Sequence, residues 1–197
     1  DPALTIGYPK FSIHTNSVNG VPAGTVVDTL KSLNRYTITG EVRDLNGMLM
    51  QDFNGTVYPS VYDKEQETGT LGNDPGSIPI TFRQQQNMVY NGKGRVQNGK
   101  FTFTFIVPKD IDYRIGKGRL SYYAENGLTD AAGMDDAIYI GGAGNGVADD
   151  GQGPIIKAWL NDEKFVNGGI TNETPVLVIN LKDSSGINTV GTGIGHD

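Results

Sequence analysis

The sequence has no cysteine and only two histidines, His14 and His196. The first absence removes disulfides, thiolate metal sites and a cysteine nucleophile together, without excluding export. The second leaves little for histidine-based chemistry, because the two lie near opposite ends of the chain. No G-x-S-x-G elbow is present, and no serine sits in a strand–turn–helix setting that would make it a nucleophile. Apolar runs are short; none approaches the ~20 residues needed to cross a bilayer, so membrane insertion is not expected. Positive charge is in deficit, with a formal net charge of −6 and a pI near 4.9. Nucleic-acid binding, which needs a clustered basic face, is therefore not expected either. Sustained helical periodicity is missing as well.

What is present is alternation. In 101–107 the residues Phe101, Phe103, Phe105 and Val107 fall on one face of an extended strand, while Thr102 and Thr104 face away. Pro108 ends the run. Upstream, Asn98-Gly99 is a favoured tight-hairpin dipeptide, so 94–97 is expected to pair with 100–103. A second strand is expected over 36–43, closed by the turn residues Asp44-Leu-Asn-Gly47. Others are expected over 8–14, 57–62, 80–83, 88–90, 119–125 and 137–140. The segment 28–33 reads as either one helical turn or a short edge strand. Gly 28 and Pro 9 punctuate these runs. The pattern predicts an all-β protein, an immunoglobulin-like β-sandwich over 1–140.

Composition changes at Gly141-Gly-Ala-Gly-Asn-Gly146 and Asp149-Asp-Gly-Gln-Gly-Pro154, and 141–153 is expected to be a Gly/Asp-rich linker. Strands over 155–160 and 176–181, separated by a Gly168-Gly169 turn, cannot close a sandwich alone. The segment 154–197 is expected to be the incomplete start of a second β domain. Asp1-Pro-Ala-Leu4 reads like the middle of a chain, so an excised fragment is expected.

Three constellations bear on function. Asp130, Asp135, Asp136, Asp149 and Asp150 gather near the expected linker and supply oxygen ligands of the kind calcium takes, although their spacing fits no EF-hand or complete β-roll repeat. Calcium is accordingly the one cofactor to consider. Tyr58, Tyr62, Tyr122, Tyr123, Tyr139 and Trp159 lie on expected strands and offer aromatic surface for a sugar. Tyr122 and Tyr123 must point to opposite faces, so at least one of them is expected to be core packing. The glycine runs 142–146 and 191–195 lack the following helix that a phosphate loop requires.

Several stretches carry a resemblance. They are Asp1-Pro-Ala-Leu4, Tyr8-Pro9, Asp28-Thr-Leu-Lys-Ser-Leu33 and Asp52-Phe-Asn-Gly-Thr-Val-Tyr-Pro59. Leu71-Gly-Asn-Asp74, Lys100-Phe-Thr-Phe-Thr-Phe-Ile-Val-Pro-Lys-Asp110, Ser121-Tyr-Tyr-Ala124 and Ile187-Asn-Thr-Val-Gly-Thr-Gly-Ile-Gly-His-Asp197 complete the set. Together they resemble the region downstream of the peptidase domain in the type IX secretion sortases, the PorU-like branch of the gingipain cysteine peptidases. The resemblance implies a caspase-like domain upstream that holds the catalytic Cys and His, with Asp1-Pro2 and Leu4 at its exit. No catalytic residue carries over onto this chain. It further implies an exported parent enzyme at the outer-membrane surface, cleaving C-terminal sorting signals from secreted cargo and joining the new end to lipopolysaccharide. The upstream peptidase domain and secreted cargo are the implied partners. The glycine-rich 141–146 segment departs from the family pattern. The competing expectation is a stand-alone adhesin or carbohydrate-binding module.

Overall fold

Each short alternating run forms a strand, and glycine or asparagine in the left-handed region turns the chain between many of them. The computed structural model describes residues 7–25, 29–146, 151–184 and 187. Among these there is no helix. The first eight strands are β1 (Phe11–Val18), β2 (Val21–Pro22), β3 (Leu30–Ser32), β4 (Arg35–Arg43), β5 (Gly55–Tyr62), β6 (Gln66–Gly69), β7 (Thr81–Gln84) and β8 (Met88–Asn91). The next eight are β9 (Gly94–Val96), β10 (Lys100–Ile106), β11 (Gly116–Lys117), β12 (Arg119–Glu125), β13 (Asp130–Asp135), β14 (Tyr139–Ala143), β15 (Ile155–Leu160) and β16 (Leu177–Lys182). The protein is all-β, as its alternation requires.

Nine strands share one sheet along the path β10–β4–β1–β13–β12–β5–β8, with β2 beside β1 and β9 beside β5. Its pairs are antiparallel except β1 with β13, where Phe11 lies opposite Ala131 in parallel. One face is apolar throughout. Phe101, Phe103 and Phe105 of β10 are buried, together with Tyr36, Ile38 and Val42 of β4, Val57 and Val61 of β5, and Leu120, Tyr122 and Ala124 of β12. Tyr90, from the far end of the path, stacks on Phe103 at 5.5 Å and on Phe105 at 4.9 Å between ring centroids. The two ends of the sheet therefore meet, and the arrangement is sandwich-like and close to a barrel. Full burial of each ring contributes roughly 1.5–3 kcal/mol. The three-stranded sheet β11–β14–β3 adds Leu30 and Ile140 to the same core. The hairpins β6–β7 and β15–β16 each form a separate two-stranded sheet.

The 28–33 segment resolves as the edge strand β3, with Leu30 and Ser32 buried; Asp28 lies outside the described residues. The Asn98-Gly99 turn is present, with positive φ at both positions (50° and 73°). Its strands do not pair as expected, however. A single bridge joins Gln97 to Lys100, after which β9 pairs with β5 and β10 pairs along its length with β4. The tip is pinned from outside: Val42 N donates to Gly99 O at 2.7 Å and Gly99 N donates to Phe53 O at 2.9 Å. These bonds direct the two arms to different neighbours.

The expected linker also begins inside a sheet, since Gly141 to Ala143 belong to β14. Glycine there allows close approach rather than mobility. A Cβ on Gly141 would sit 2.3 Å from Arg114 O, and one on Gly144 would sit 2.3 Å from both Ser32 O and Asn34 Oδ1.

Candidate functional site

At one end of the large sheet, the end of β5, the start of β12 and the end of β13 approach β11. There they enclose a cleft of about 600 Å³ lined by Lys64, Gln85, Arg114, Lys117 and Arg119, with Glu65 and Asp136 among its acidic neighbours. The walls are held by a relay of charges. Lys64 Nζ donates to Asp63 Oδ1 and to Asp112 O, each at 2.7 Å, and Asp63 is buried. Arg114 closes on Asp112 through Nε and Nη2, the shorter contact being 2.6 Å. That guanidinium holds the Asp112 carboxyl down to about 2, with the Arg114 backbone N–H and Lys64 adding to the effect. Arg119 is fixed differently. Its guanidinium lies 4.4 Å from the Tyr62 ring centroid, and Nη2 donates to Gln85 O at 3.2 Å. Gln85 is tied in turn to Asp63 O at 2.7 Å. Gly116 permits the close approach of the Lys64 stem, whose Cδ would lie 2.8 Å from a Cβ there.

These residues were not singled out as a group by sequence reasoning, because they come from segments distant along the chain. A local signal existed in Arg114-Ile-Gly-Lys-Gly-Arg119, a concentration of cations in an acidic chain.

The sequence-derived candidates fall elsewhere. Asp130 and Asp135 occupy opposite ends of β13, about 16 Å apart at strand rise, so no single ion joins them. Asp130 Oδ1 accepts from Lys10 N at 3.4 Å, and Asp135 Oδ1 accepts from Ala137 N at 2.9 Å. Asp136 lines the cleft. Asp149 and Asp150 lie outside the described residues. Among the described residues no group of three or more His, Asp or Glu is placed to hold a metal ion.

His14 stands exposed on the outer face of β1, with Nε2 3.1 Å from Ser12 Oγ. Glu41 lies opposite it across the strand pair, but both carboxylate oxygens are engaged, by Asn16 Nδ2 at 2.9 Å and Arg43 Nε at 2.8 Å. These bonds lower the Glu41 pKa, that from Asn16 most. His196 lies outside the described residues.

The aromatic candidates are dispersed. Tyr122 is core, its hydroxyl 2.9 Å from Thr15 Oγ1 and its pKa pushed up by burial. Tyr123 points outward and pairs with Tyr58 across the strands at 6.2 Å. Tyr62 is covered by Arg119, while Tyr139 and Trp159 belong to β14 and β15. No common sugar platform results from this set.

The architecture is thus that of an all-β, sandwich-like region with a charged cleft at one end of its main sheet. Over 100% of its length the chain is similar to a part of PorU from Porphyromonas gingivalis, known in a crystal structure of its dimeric latent form, with 32% sequence identity and a TM-score of 0.69. The chain spans 19% of that protein. The sporulation control protein Spo0M of Bacillus subtilis aligns with 69% of this chain and 50% of its own at 15% identity, but a TM-score of 0.36 carries no argument. No family model matches the sequence, and no curated protein does.

Proposed function

We propose that this chain is a non-catalytic β region of a PorU-like type IX secretion sortase, exported to the cell surface at the outer membrane. There it supports the peptidase domain or presents secreted cargo to it. The observation that carries this reading is the similarity to PorU along the entire chain at 32% identity. On this reading the residues that cleave C-terminal sorting signals belong to a caspase-like, gingipain-type domain upstream. The immunoglobulin-like sandwich runs through the end of β14, and 154–197 opens a second β domain.

Strands β15 and β16 support that last point. Among the described residues they pair only with each other, and Ile155, Ile156, Leu177, Ile179 and Leu181 are each 45–64% exposed. A two-stranded hairpin is marginal in water by itself. In a polypeptide of the length of the similar PorU chain, of which this one covers 19%, there is further protein to cover it.

The test is to delete residues 7–184 from the full-length protein while keeping its peptidase domain, then follow cargo-signal cleavage and co-purification with a cargo C-terminal peptide. Loss of folded peptidase or of cargo capture is the expected result. Full processing without this region would contradict the proposal.

A further inference from the structure

We propose that the cleft beside β11 is an oxyanion-binding site, taking a small organic molecule through a terminal carboxylate or phosphate. The inference is independent of the sortase reading and rests on which charges face the cavity. Four cations line it (Lys64, Arg114, Lys117 and Arg119) against two acids, Glu65 and Asp136. With Asp63 and Asp112 behind the wall, four carboxylates balance the four cations, so what the cleft offers an anion is the two cations left without an ion pair among the described residues, Lys117 and Arg119.

The carboxylates that satisfy Lys64 and Arg114, those of Asp63 and Asp112, stand behind the lining rather than in it. Lys117 and Arg119 have no ion-pair partner among the described residues. Arg119 is the telling member. It is partly buried, its guanidinium lies over the Tyr62 ring, and the Gln85 carbonyl is a neutral acceptor. Its Nε is buried with no hydrogen-bond partner. An unsatisfied buried N–H on a cation without an ion pair favours an incoming acceptor, and a guanidinium already held in place meets an oxyanion at little further entropic cost.

The cleft has the volume of a small-molecule site rather than that of a lone ion. Ile115 and Met134, exposed at 66% and 63%, give the carbon body of a ligand an apolar wall. Glu65 and Asp136 disfavour a second negative group, so the charge of the ligand belongs at one end.

The experiment titrates the chain with glycerol 3-phosphate and, separately, with butyrate, at about 20 mM salt to limit screening. Amide shifts of Gly116, Lys117, Gly118 and Arg119 are followed by NMR. Saturable shifts at these amides with at least one probe are expected, and the probe that saturates identifies phosphate or carboxylate as the favoured end group. Lys117→Ala, at an exposed position, should weaken binding by at least about threefold and nearer tenfold. Arg119→Gln should abolish it, but it also strips the Tyr62 contact, so Lys117→Ala is the deciding variant. Absence of saturation with both probes, or a Lys117→Ala change smaller than about threefold, would overturn the proposal.

Discussion

Strands β10 and β15 have similar lengths and aromatic-aliphatic character, yet they live in opposite circumstances. In β10 the apolar residues alternate, and Phe101, Phe103 and Phe105 are 4%, 7% and 5% exposed. In β15 two apolar residues are adjacent, and Ile155 and Ile156 are 62% and 64% exposed. Adjacent residues of a strand point to opposite faces, so β15 is apolar on both. That is the pattern of a strand covered on two sides. Alternation therefore identifies a strand whose partners are all present in this region. On the proposed function, a two-sided apolar strand with one partner is where another part of a longer polypeptide would pack.

The comparison breaks first if the curled sheet is less cooperative than its packing implies. Phe103 touches the rings of Tyr90, Phe101, Phe105 and Tyr122, so Phe103→Ala should cost about 3–5 kcal/mol in chemical denaturation. A loss below ~1 kcal/mol would mean that the ring stack does not hold the two ends of the sheet together. Next in size is Gly133→Ala. A Cβ there would lie 2.1 Å from Ile13 O, so the parallel β1–β13 contact must shift, at a cost of about 1–3 kcal/mol measured the same way.

Asp112 sharpens the comparison through pH. Its folded pKa of about 2 is below the unfolded value of about 3.9, so its contribution is present above pH ~4 and is lost as pH falls through 2. Asp112→Asn should lower the urea midpoint at pH 6 and flatten the wild-type decline between pH 4 and 2. Equal slopes in the two proteins would deny the Arg114–Asp112 pair a role. The smallest effect is expected on the hairpin. Ile156→Ser should change the stability of the isolated chain by no more than about 0.5 kcal/mol, because the side chain is already solvated. A much larger loss would place Ile156 in a core within the region itself.

The fold was legible where one face is apolar and its neighbour polar, as in β4, β5, β10 and β12. It was not legible in β13. The sequence Asp130-Ala-Ala-Gly-Met-Asp135 has small residues where β1 and β12 crowd it and acids at its ends, so no strand was expected there and its acids stood out only as calcium candidates, although it is a central strand. The same blindness affected Gly141 to Ala143, where glycines permit backbone contact and resemble a linker when read one-dimensionally. Pairing partners were misjudged at β9 because the hydrogen bonds that fix the Gly99 tip come from Phe53 and Val42, far away in sequence. Of the candidate site only Asp136 was singled out beforehand, as a calcium ligand. The remaining lining residues are joined by the fold, and no spacing rule connects Lys64 to Arg119.

On the proposed function, β15–β16 is a joining face for the rest of a longer, PorU-like polypeptide. Amide hydrogen exchange of this hairpin, compared between the isolated chain and the full-length protein, tests it most directly. The amides of β10 should be slow in both, and those of β15 and β16 should be fast in the isolated chain and strongly protected in the full-length protein. Equally fast exchange of β15 and β16 in both would contradict it.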